Sequence, residues 1–427
     1  MNTSPTINLT SPSGPIKGTV TLPSSKSIAN RYLILQALSG GKLTVNNLSV
    51  SDDTQILHKL LTSPPADNIY DAHHAGTTSR FLLAYLAMQP GTQVVTGSER
   101  LITRPIRPLA EALISMGADV QYLKEEGCLP IQLGPVPASL TSEVRIAGDI
   151  SSQFITALLL NAHSLPNGLK INIEGELVSK PYVEMTLSIL RDVGIDSTLT
   201  DDYIAIDHQP IVEKTLTVES DWSAASYFLG LVATRPGSEI VMPNLYETSI
   251  QGDSQMVSYL HHYGCKYAFE AGGLKVWNPA DADYTPPPIL ELDLEDTPDI
   301  FQTFATMHSI LGLSCMYTGL STLPGKETNR IEAMKNELIK VRSIIAELPP
   351  RFSSKSEQKY YLQESKAVVS EVPTFSTYQD HRMAMSLALL SLVAPINIEE
   401  PEVVSKSFPH YWDELVKLGF EVKAEAV

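Results

Sequence analysis

The chain has 427 residues, 43% of them hydrophobic, so it can bury a large core and is expected to divide into two or three domains. Its 31 basic and 48 acidic residues give a net charge of −17, which argues against nucleic acid or an anionic membrane surface as a partner. Three scattered cysteines, no visible signal peptide and no apolar stretch of membrane-spanning length together predict a cytoplasmic protein.

Six short polar clusters along the chain each open into an apolar run of helical length. They begin near Lys26, Thr77, Ser151, Ser223, Pro298 and Asp380. Their spacing of roughly 50 to 80 residues indicates an internal repeat. Because the runs are apolar on nearly every side, they predict buried helices, and the free N–H groups and positive dipole at the start of such helices favour anion binding.

A second, amphipathic helix ending in glycine follows several of these runs. Such helices are predicted at 104–117, 180–194, 251–264 and 410–419, and strand-like segments follow at 118–122, 195–199 and 420–423. Strands and helices thus alternate, which predicts an α/β (α+β) protein of six related units. Hinges are expected near 22–24 and 217–221. The prolines at 286–288 are expected to precede a new strand, and residues 348–350 with 353–355 to form a loop.

Positive charges and small hydroxyls gather in or beside the helix starts. The residues concerned are Lys26, Ser27, Arg31, Arg80, Arg104, Ser151, Ser152, Ser179, Lys180, Lys326, Arg330, Arg382 and Lys406. Serine at a helix start combined with arginine is what phosphate and carboxylate recognition needs. Taken singly, each serine is also explained as a helix cap and each arginine as a solvated surface residue.

Two carboxylates stand among these cations. Asp299 precedes an apolar helix, and Glu327 lies between Lys326 and Arg330. A carboxylate surrounded by cations stays ionised, so it can accept a proton or stabilise a developing positive charge. A helix cap for Asp299 and an ordinary i,i+3 ion pair for Glu327 are the simpler alternatives.

Eight motifs carry a resemblance over nearly the whole chain. They are LPSSKSIANR at 22–31, AGT at 75–77, TRPI at 103–106, SSQF at 151–154, SKPY at 179–182, KETNR at 326–330, DHRMAM at 380–385 and KSFP at 406–409. In order and in content, this series resembles the 5-enolpyruvylshikimate-3-phosphate synthase family. The resemblance implies a two-domain inside-out α/β barrel, with three copies of a strand-helix unit per domain and an active-site cleft between the domains. It places residues 24–218 in an upper domain and residues 1–23 plus 219–427 in a lower one.

The resemblance also implies a reaction. The enolpyruvyl group of phosphoenolpyruvate is transferred to the 5-hydroxyl of shikimate 3-phosphate, which releases phosphate and forms 5-enolpyruvylshikimate 3-phosphate on the shikimate pathway to chorismate and the aromatic amino acids. The only partners expected are these small molecules, without a metal, an organic cofactor, nucleic acid or a membrane, and a monomer is expected.

Residue roles follow from matching positions. By resemblance, Ser27 and Arg31 hold the shikimate carboxylate, Ser151, Ser152, Ser179 and Lys326 its phosphate with Thr322 nearby, and Gln153 lies between the substrates. Phosphoenolpyruvate is bound by Lys26, Arg104, Arg330, Arg382 and Lys406, close to the Gly76 backbone. Asp299 is expected to accept the proton of the hydroxyl and Glu327 to serve the methylene carbon, and Lys26 is included as a third catalytic residue.

Four positions depart from the commonest family pattern: Ser24, His74, Thr322 and Asn329. The stretch 342–375 also lacks the usual Gly-Ala helix ending. Gly76 and Thr77 are kept, so inhibition by glyphosate, a competitor of phosphoenolpyruvate, is expected.

Two alternatives remain. The UDP-N-acetylglucosamine enolpyruvyl transferase shares the fold but uses a loop cysteine where this chain has residues 97–102, none of them cysteine. A non-catalytic paralogue that binds phosphosugar-like ligands would not need both Asp299 and Glu327.

Overall fold

Strands and helices alternate in two separate parts of the chain. The structure, a computed structural model, describes residues 5–137, 139–149, 151–270, 272–280, 285–352, 358–364 and 366–424, so the predicted loop at 353–355 lies outside the described residues. One unit consists of Met1–Pro23 and Ser220–Val427, and the other of Ser24–Glu219. Each unit has a hydrophobic core of its own.

The helices are short, and in the described part of the chain none is long and apolar enough to cross a membrane. The α-helices are α1 Lys26–Leu38, α2 Asp52–Thr62, α3 Gly76–Leu86, α4 Glu99–Ile102, α5 Arg107–Met116, α6 Ser152–Ala162, α7 Lys180–Asp192, α8 Trp222–Thr234, α9 Met256–Tyr259, α10 Phe301–Leu311, α11 Arg330–Leu338, α12 His381–Leu387 and α13 Tyr411–Lys417. The 3₁₀ helices are Gly252–Gln255, Leu260–Tyr263, Pro298–Ile300, Leu323–Gly325, Ile339–Val341, Pro350–Phe352, Ala388–Leu392 and Pro401–Lys406.

The strands form small sheets. They are β1 Thr6–Thr10, β2 Lys17–Thr19, β3 Leu43–Asn46, β4 Ile69–Asp71, β5 Gln93–Thr96, β6 Val120–Tyr122, β7 Ile131–Leu133, β8 Glu143–Ala147, β9 Leu169–Glu174, β10 Thr198–Leu199, β11 Tyr203–Ile206, β12 Lys214–Thr217, β13 Glu239–Pro243, β14 Lys266–Glu270, β15 Gly273–Trp277, β16 Ile289–Asp293, β17 Ser314–Thr318, β18 Ile344–Glu347, β19 Tyr361–Glu364, β20 Thr374–Phe375, β21 Ile396–Glu399 and β22 Glu421–Ala424. Among the described residues they make five four-stranded sheets and one two-stranded sheet.

One strand order recurs in all five larger sheets: a parallel pair extended on one side by two antiparallel strands. The sheets are β4-β5-β7-β6, β8-β9-β11-β10, β2-β13-β15-β14, β16-β17-β19-β18 and β20-β21-β1-β22. A parallel pair needs a crossover, and a buried helix supplies it, as α3 does between β4 and β5. The predicted α/β class is confirmed. The sixth unit keeps only the parallel pair β3 and β12 within the described residues.

The six predicted buried helices are confirmed as α1, α3 and α6 in one unit and α8, α10 and α12 in the other. In one unit α1, α3 and α6 pack against one another, and in the other α10 packs against both α8 and α12. Close packing depends on a small residue in α8, because a Cβ on Gly230 would lie 2.7 Å from Leu389 Cδ2 and 3.2 Å from Thr303 Cγ2. In the second unit the polar starts of α8, α10 and α12 lie close together, since Arg382 contacts both Ser223 and Asp299.

The four predicted glycine endings are also confirmed. Gly117, Gly194, Gly264 and Gly419 have φ of 102°, 86°, 70° and 92°, values that glycine adopts at little steric cost. The helix predicted at 251–264 is broken into a 3₁₀ turn, the short helix α9 and a second 3₁₀ turn.

The helix that carries Arg330 ends differently. Arg342 takes the left-handed position after the 3₁₀ turn Ile339–Val341, with φ 62° and ψ 19°. A left-handed conformation costs a residue with a Cβ about 1–2 kcal/mol, part of which glycine gives back as unfolded-state entropy. We expect Arg342→Gly to raise the free energy of unfolding by about 0.5–1 kcal/mol, measured by urea titration. Arg342→Ala removes the same exposed side chain but keeps the Cβ; an equal gain in that control would contradict the explanation.

Candidate active site

Arg330 is the centre of a buried ion cluster in the unit that contains α8 to α13. Its side chain is 1% exposed, and four of its five N–H groups meet carboxylates. Nε and Nη2 bind Asp380 at 2.8 and 3.3 Å, Nη1 donates to Asp299 at 2.7 Å, and Nη2 donates to Glu327 at 2.9 Å. The fork shape of the guanidinium allows this three-way contact, which lysine could not reproduce.

Asp299, from the 3₁₀ turn before α10, is shared by three cations. Besides Arg330 it contacts Lys326 Nζ at 3.3 Å and Arg382 Nη2 at 3.3 Å. Arg382 Nη1 also donates to the Asp299 backbone oxygen at 3.3 Å. Asp299 is 8% exposed, so these cations cover most of its carboxylate.

Glu327 is held between two cations in the same way. Lys406 Nζ lies 2.7 Å from Oε1, and Arg330 Nη2 lies 2.9 Å from Oε2. Lys406 comes from the 3₁₀ helix Pro401–Lys406, so this pair joins two segments that are 79 residues apart. The ion pair at i,i+3 that the sequence allowed for Glu327 is present, but it is one contact within a larger network.

Burial and charge compete at the cations. Burial works against the charged form of Arg330, but Asp380, Glu327 and Asp299 outweigh it and raise its pKa. Lys326 behaves in the opposite way, because burial lowers its pKa by more than the carboxylates raise it. Four cations contact three carboxylates in this cluster, and a fourth carboxylate, Asp253, approaches Arg382 through Ser223.

Thr322 begins the 3₁₀ turn Leu323–Gly325, four residues before Lys326. Its Oγ1 is buried and makes no hydrogen bond. A buried hydroxyl without a partner is costly in a finished structure, so Thr322 retains capacity to bind a ligand.

The other unit, Ser24–Glu219, holds the remaining predicted site residues at its helix starts. Lys26, the first residue of α1, contacts Asp53 Oδ2 at 3.4 Å, and Asp53 is 1% exposed. Asp53 Oδ1 is buried without a hydrogen bond. The Asp53 backbone oxygen accepts from Thr78 at 2.8 Å, which links α2 to α3. Ser27, next to Lys26, is partly exposed.

Arg31 is more deeply placed than a ligand-binding arginine needs to be. It is 2% exposed, and it donates to Thr186 Oγ1, the Ser27 and Tyr182 backbone oxygens and Thr156 Oγ1 at 2.7 to 3.4 Å. Burial lowers its pKa to about 10. One of its five N–H groups remains for a substrate carboxylate, so most of its contacts tie α1 to α6 and α7.

Gly76, Arg104 and Gln153 are brought together through Arg80. A Cβ on Gly76 would lie 2.7 Å from Arg104 Nη1 and 3.2 Å from Arg80 Nη1. Arg80 Nη1 donates to Gln153 Oε1 at 2.5 Å, and Gln153 Nε2 donates to Thr77 Oγ1 at 3.2 Å. Arg104 Nε is buried without a hydrogen bond. Two guanidinium groups thus lie over the N-terminus of α3, an arrangement suited to an anion.

The three predicted phosphate-binding serines lie at the starts of α6 and α7, which pack against each other. Ser151 caps α6 by accepting from Gln153 N at 3.4 Å, so the simple capping explanation holds for it alongside the functional one. Ser179 precedes α7 with φ 53°, a strained conformation that is common at ligand sites. Ser152 is 6% exposed and Ser179 4%.

Sequence reasoning missed the partners of these residues. Asp380 and Asp53 are buried counter-charges, and Ser223 and Asp253 stand beside Arg382. Arg80 was among the predicted cations, but its link between Gly76 and Gln153 was not predicted. Asp380 gave one usable signal, since it begins the same motif as Arg382. The other residues carry no local pattern that separates them from ordinary caps. The described residues contain no cluster of histidine, cysteine or acidic side chains arranged for a metal ion.

Comparison with known proteins gives one family. The family described as EPSP synthase (3-phosphoshikimate 1-carboxyvinyltransferase) matches residues 10–63 and 57–415. A 3-phosphoshikimate 1-carboxyvinyltransferase of Bacteroides fragilis is 40% identical over 411 residues, covering 96% of this chain and 97% of that protein. One from Vibrio campbellii is 34% identical over 454 residues, with 96% and 98% coverage.

Solved structures share the fold. An EPSP synthase from Acinetobacter baumannii superposes with a TM-score of 0.73 at 18% identity, covering 98% of this chain and all of that one. The enolpyruvyl transferase NikO from Streptomyces tendae gives a TM-score of 0.73 at 13% identity over 100% of both chains. The fold is therefore common to enzymes with different names, whereas the sequence matches are specific. The chain belongs to the EPSP synthase family.

Proposed function

We propose that this protein transfers the carboxyvinyl group of phosphoenolpyruvate to the 5-hydroxyl of shikimate 3-phosphate and releases phosphate. Family membership supports the reaction, and the arrangement of Asp299 and Glu327 among four cations supports the chemistry. A cytoplasmic monomer that needs neither a metal nor an organic cofactor is part of the proposal.

The paired carboxylates are the observation that carries this proposal. A proton added to the methylene carbon of phosphoenolpyruvate creates an oxocarbenium-like centre at the neighbouring carbon, and the hydroxyl oxygen attacks that carbon as it loses its proton. Asp299 accepts the hydroxyl proton. Glu327, hydrogen-bonded to Lys406, handles the proton of the methylene carbon: in its protonated form it gives the proton to that carbon, and as the resulting carboxylate it takes one back from the new methyl group. Loss of a proton from the new methyl group and cleavage of the C–O bond to phosphate complete the transfer. General acid–base help of this kind is worth roughly 10²–10⁴-fold.

The cations supply the binding. Both substrates carry phosphate and carboxylate, so their charges must be neutralised before they can meet. We assign phosphoenolpyruvate to Lys26, Arg104, Arg382 and Lys406. Arg330 donates four N–H groups to Asp299, Glu327 and Asp380, so it mainly positions those carboxylates.

Shikimate 3-phosphate is assigned to the serines and their neighbours. Ser151, Ser152, Ser179 and Lys326 take its phosphate, and the buried Thr322 hydroxyl adds a donor near Lys326. Ser27 and the remaining N–H of Arg31 take its carboxylate, while Gln153 separates the two ligands.

Phosphate release tests the reaction directly. Purified protein, shikimate 3-phosphate and phosphoenolpyruvate are mixed with a chelator, and inorganic phosphate is measured over time. Turnover that needs both substrates and survives the chelator supports the proposal. Turnover that depends on added metal, or phosphate release without shikimate 3-phosphate, would contradict it.

Gly76→Ala is expected to weaken phosphoenolpyruvate binding. The new Cβ would displace Arg104, whose charge-assisted hydrogen bond to a ligand is worth about 1.5–3 kcal/mol, so the KM for phosphoenolpyruvate should rise roughly 10- to 100-fold. Inhibition by glyphosate should weaken in the same direction. Steady-state kinetics with each substrate varied measures the effect. Gly14→Ala is the control, because a Cβ there meets nothing within 4 Å; equal KM values in both variants would refute the steric argument.

The UDP-N-acetylglucosamine enolpyruvyl transferase alternative finds no support at the cysteines. Cys128, Cys265 and Cys315 are all buried, and burial raises the pKa of each thiol. A buried, protonated thiol is a poor nucleophile. Turnover with UDP-N-acetylglucosamine in place of shikimate 3-phosphate would revive this alternative.

A further inference from the structure

A buried carboxylate with no assigned task stands behind Arg382. Asp253 belongs to the 3₁₀ turn Gly252–Gln255 and is 4% exposed. The preceding residue fixes this turn against the start of α8, since the Gln251 side chain accepts from Trp222 N at 3.1 Å and donates to the Ser220 oxygen at 2.8 Å. Asp253 Oδ2 accepts a short hydrogen bond from the Ser223 hydroxyl, and Oδ1 is buried without one.

The Ser223 hydroxyl connects Asp253 to Arg382. Its oxygen lies 3.3 Å from Arg382 Nη2, and the same Nη2 lies 3.3 Å from Asp299 Oδ2. A hydroxyl has one hydrogen, and Asp253 takes it. The Ser223 lone pairs therefore face Arg382, which has only hydrogens to offer.

This chain of hydrogen bonds has a direction. An ionised Asp253 accepts and cannot donate, so it keeps the Ser223 hydrogen turned away from the guanidinium. If Asp253 gains a proton or is replaced, the hydroxyl can rotate and point its hydrogen at the N–H groups of Arg382, which removes an acceptor from one side of the guanidinium.

We propose that Asp253 is a positioning residue: acting through Ser223, it fixes the Arg382 guanidinium in the orientation that binds phosphoenolpyruvate. The inference rests on the proposed function and adds two residues to it, neither of which touches substrate. Asp299 accepts from both ends of the Arg382 guanidinium, Nη1 at its backbone oxygen and Nη2 at Oδ2, and Ser223 accepts from the same Nη2. Losing the Ser223 contact removes one of the acceptors that fix the direction of Nη2.

The charges around Asp253 make the hydrogen-bonded link from Asp253 through Ser223 to Arg382 depend on pH. Burial is the main cause that raises the pKa of Asp253 to about 6; Asp299 and Asp221 add to the rise, while Arg382 and the Ser223 hydrogen bond oppose it. Asp253 is therefore ionised above about pH 6, where the orientation holds, and protonated below it, where the orientation is lost. As the pH falls through this range, phosphoenolpyruvate binding should weaken.

Two variants of the full-length protein test this inference. Asp253→Asn keeps the shape but removes the charge and replaces one acceptor oxygen by an NH2 donor, which can point at the Ser223 oxygen and turn its hydrogen toward Arg382. Ser223→Ala removes the link. We expect each to raise the KM for phosphoenolpyruvate roughly 3- to 30-fold with the KM for shikimate 3-phosphate unchanged. The double variant should have a KM for phosphoenolpyruvate no higher than that of the more affected single variant, because both residues act through the same series of hydrogen bonds. The matched controls are the same changes at exposed positions. They are Asp413→Asn, at a carboxylate that pairs with His410, and Ser258→Ala, at a hydroxyl that donates to the Gln255 backbone oxygen.

The pH profile separates positioning from mere folding support. From about pH 5 to pH 8, kcat/KM for phosphoenolpyruvate in the unmodified protein should fall on the acid side near pH 6, and Asp253→Asn should lose that fall. Unchanged KM and pH profile in Asp253→Asn, or independent additive effects in the double variant, would overturn the inference. If Asp253→Asn fails to fold, the KM of Ser223→Ala for phosphoenolpyruvate decides alone.

Failure of this inference can be told from failure of the proposed function. Absence of turnover in the unmodified protein would contradict both, whereas normal turnover with unaffected variants would contradict only the inference.

Discussion

Asp299→Asn is expected to lower kcat by roughly 10²–10⁴-fold, the range that general acid–base catalysis contributes. The amide has nearly the shape of the carboxylate and can still accept from Arg330, but it cannot take a proton from the hydroxyl of shikimate 3-phosphate. Rates of phosphate release at saturating concentrations of both substrates measure the change. Binding of shikimate 3-phosphate, followed by calorimetry, should be retained.

The control is Asp413→Asn, the same change at a carboxylate that is 70% exposed on α13. It should leave kcat within about twofold, since a surface substitution outside the site rarely changes stability by more than ~0.5 kcal/mol. A kcat for Asp299→Asn close to that of the control would exclude Asp299 as the base. Equal loss of turnover and of shikimate 3-phosphate binding would mean that Asp299 supports the site without taking part in the chemistry.

Arg330→Met is expected to lower the free energy of unfolding by about 3–5 kcal/mol, the cost of leaving buried charges without their partner. Three carboxylates, from Asp299, Glu327 and Asp380, would lose the one cation that they share. Methionine nearly fills the volume, so the loss comes mainly from the charge and the hydrogen bonds. Urea titration measures it as a shift of the midpoint of the transition that belongs to the unit carrying Arg330.

Arg191→Met, the same change at an exposed position on α7, is the control and should cost less than about 0.5 kcal/mol. The sign of the pH effect is a second check. Without Arg330, the three carboxylates repel one another and protonation relieves that repulsion, so the gap between variant and unmodified protein should narrow as the pH falls. A gap that widens in acid would contradict this account.

The buried helices and their glycine endings could be predicted because their signals are local. An apolar run after a polar cluster indicates a buried helix, and Gly117 or Gly194 after the last periodic residue indicates its end. The helix α2 and the left-handed conformation of Arg342 were not predicted, since no glycine follows α2 or the turn before Arg342 to mark a helix end. That the described residues of the sixth unit form only the parallel pair β3 and β12 could not be foreseen either, because a sheet without its two antiparallel strands carries no motif of its own.

The candidate site was predicted only in part. Asp299, Glu327, Arg330 and Lys406 stand in short motifs, and the structure brings them into one network. Their buried counter-charge Asp380 and the Asp253 to Ser223 link were not predicted, because which carboxylate meets which cation is decided by tertiary packing between distant segments. Arg31 was predicted as a ligand-binding residue, but four of its five N–H groups bond to α1, α6 and α7. No local pattern indicates that these distant segments would occupy them.

The sheet β20-β21-β1-β22 places the first strand of the chain between strands from its last quarter, with Asn8 hydrogen-bonded to Asn397 across 389 residues. On the ribosome, β1 emerges long before its neighbours β21 and β22, and its residue Asn8 must wait for 389 further residues before Asn397 exists. The continuous segment Ser24–Glu219 has no such delay and can acquire its native structure while translation continues. Closing so long a loop is slow, so the nascent N-terminal strand stays open to misassembly or to a chaperone until the final strands arrive.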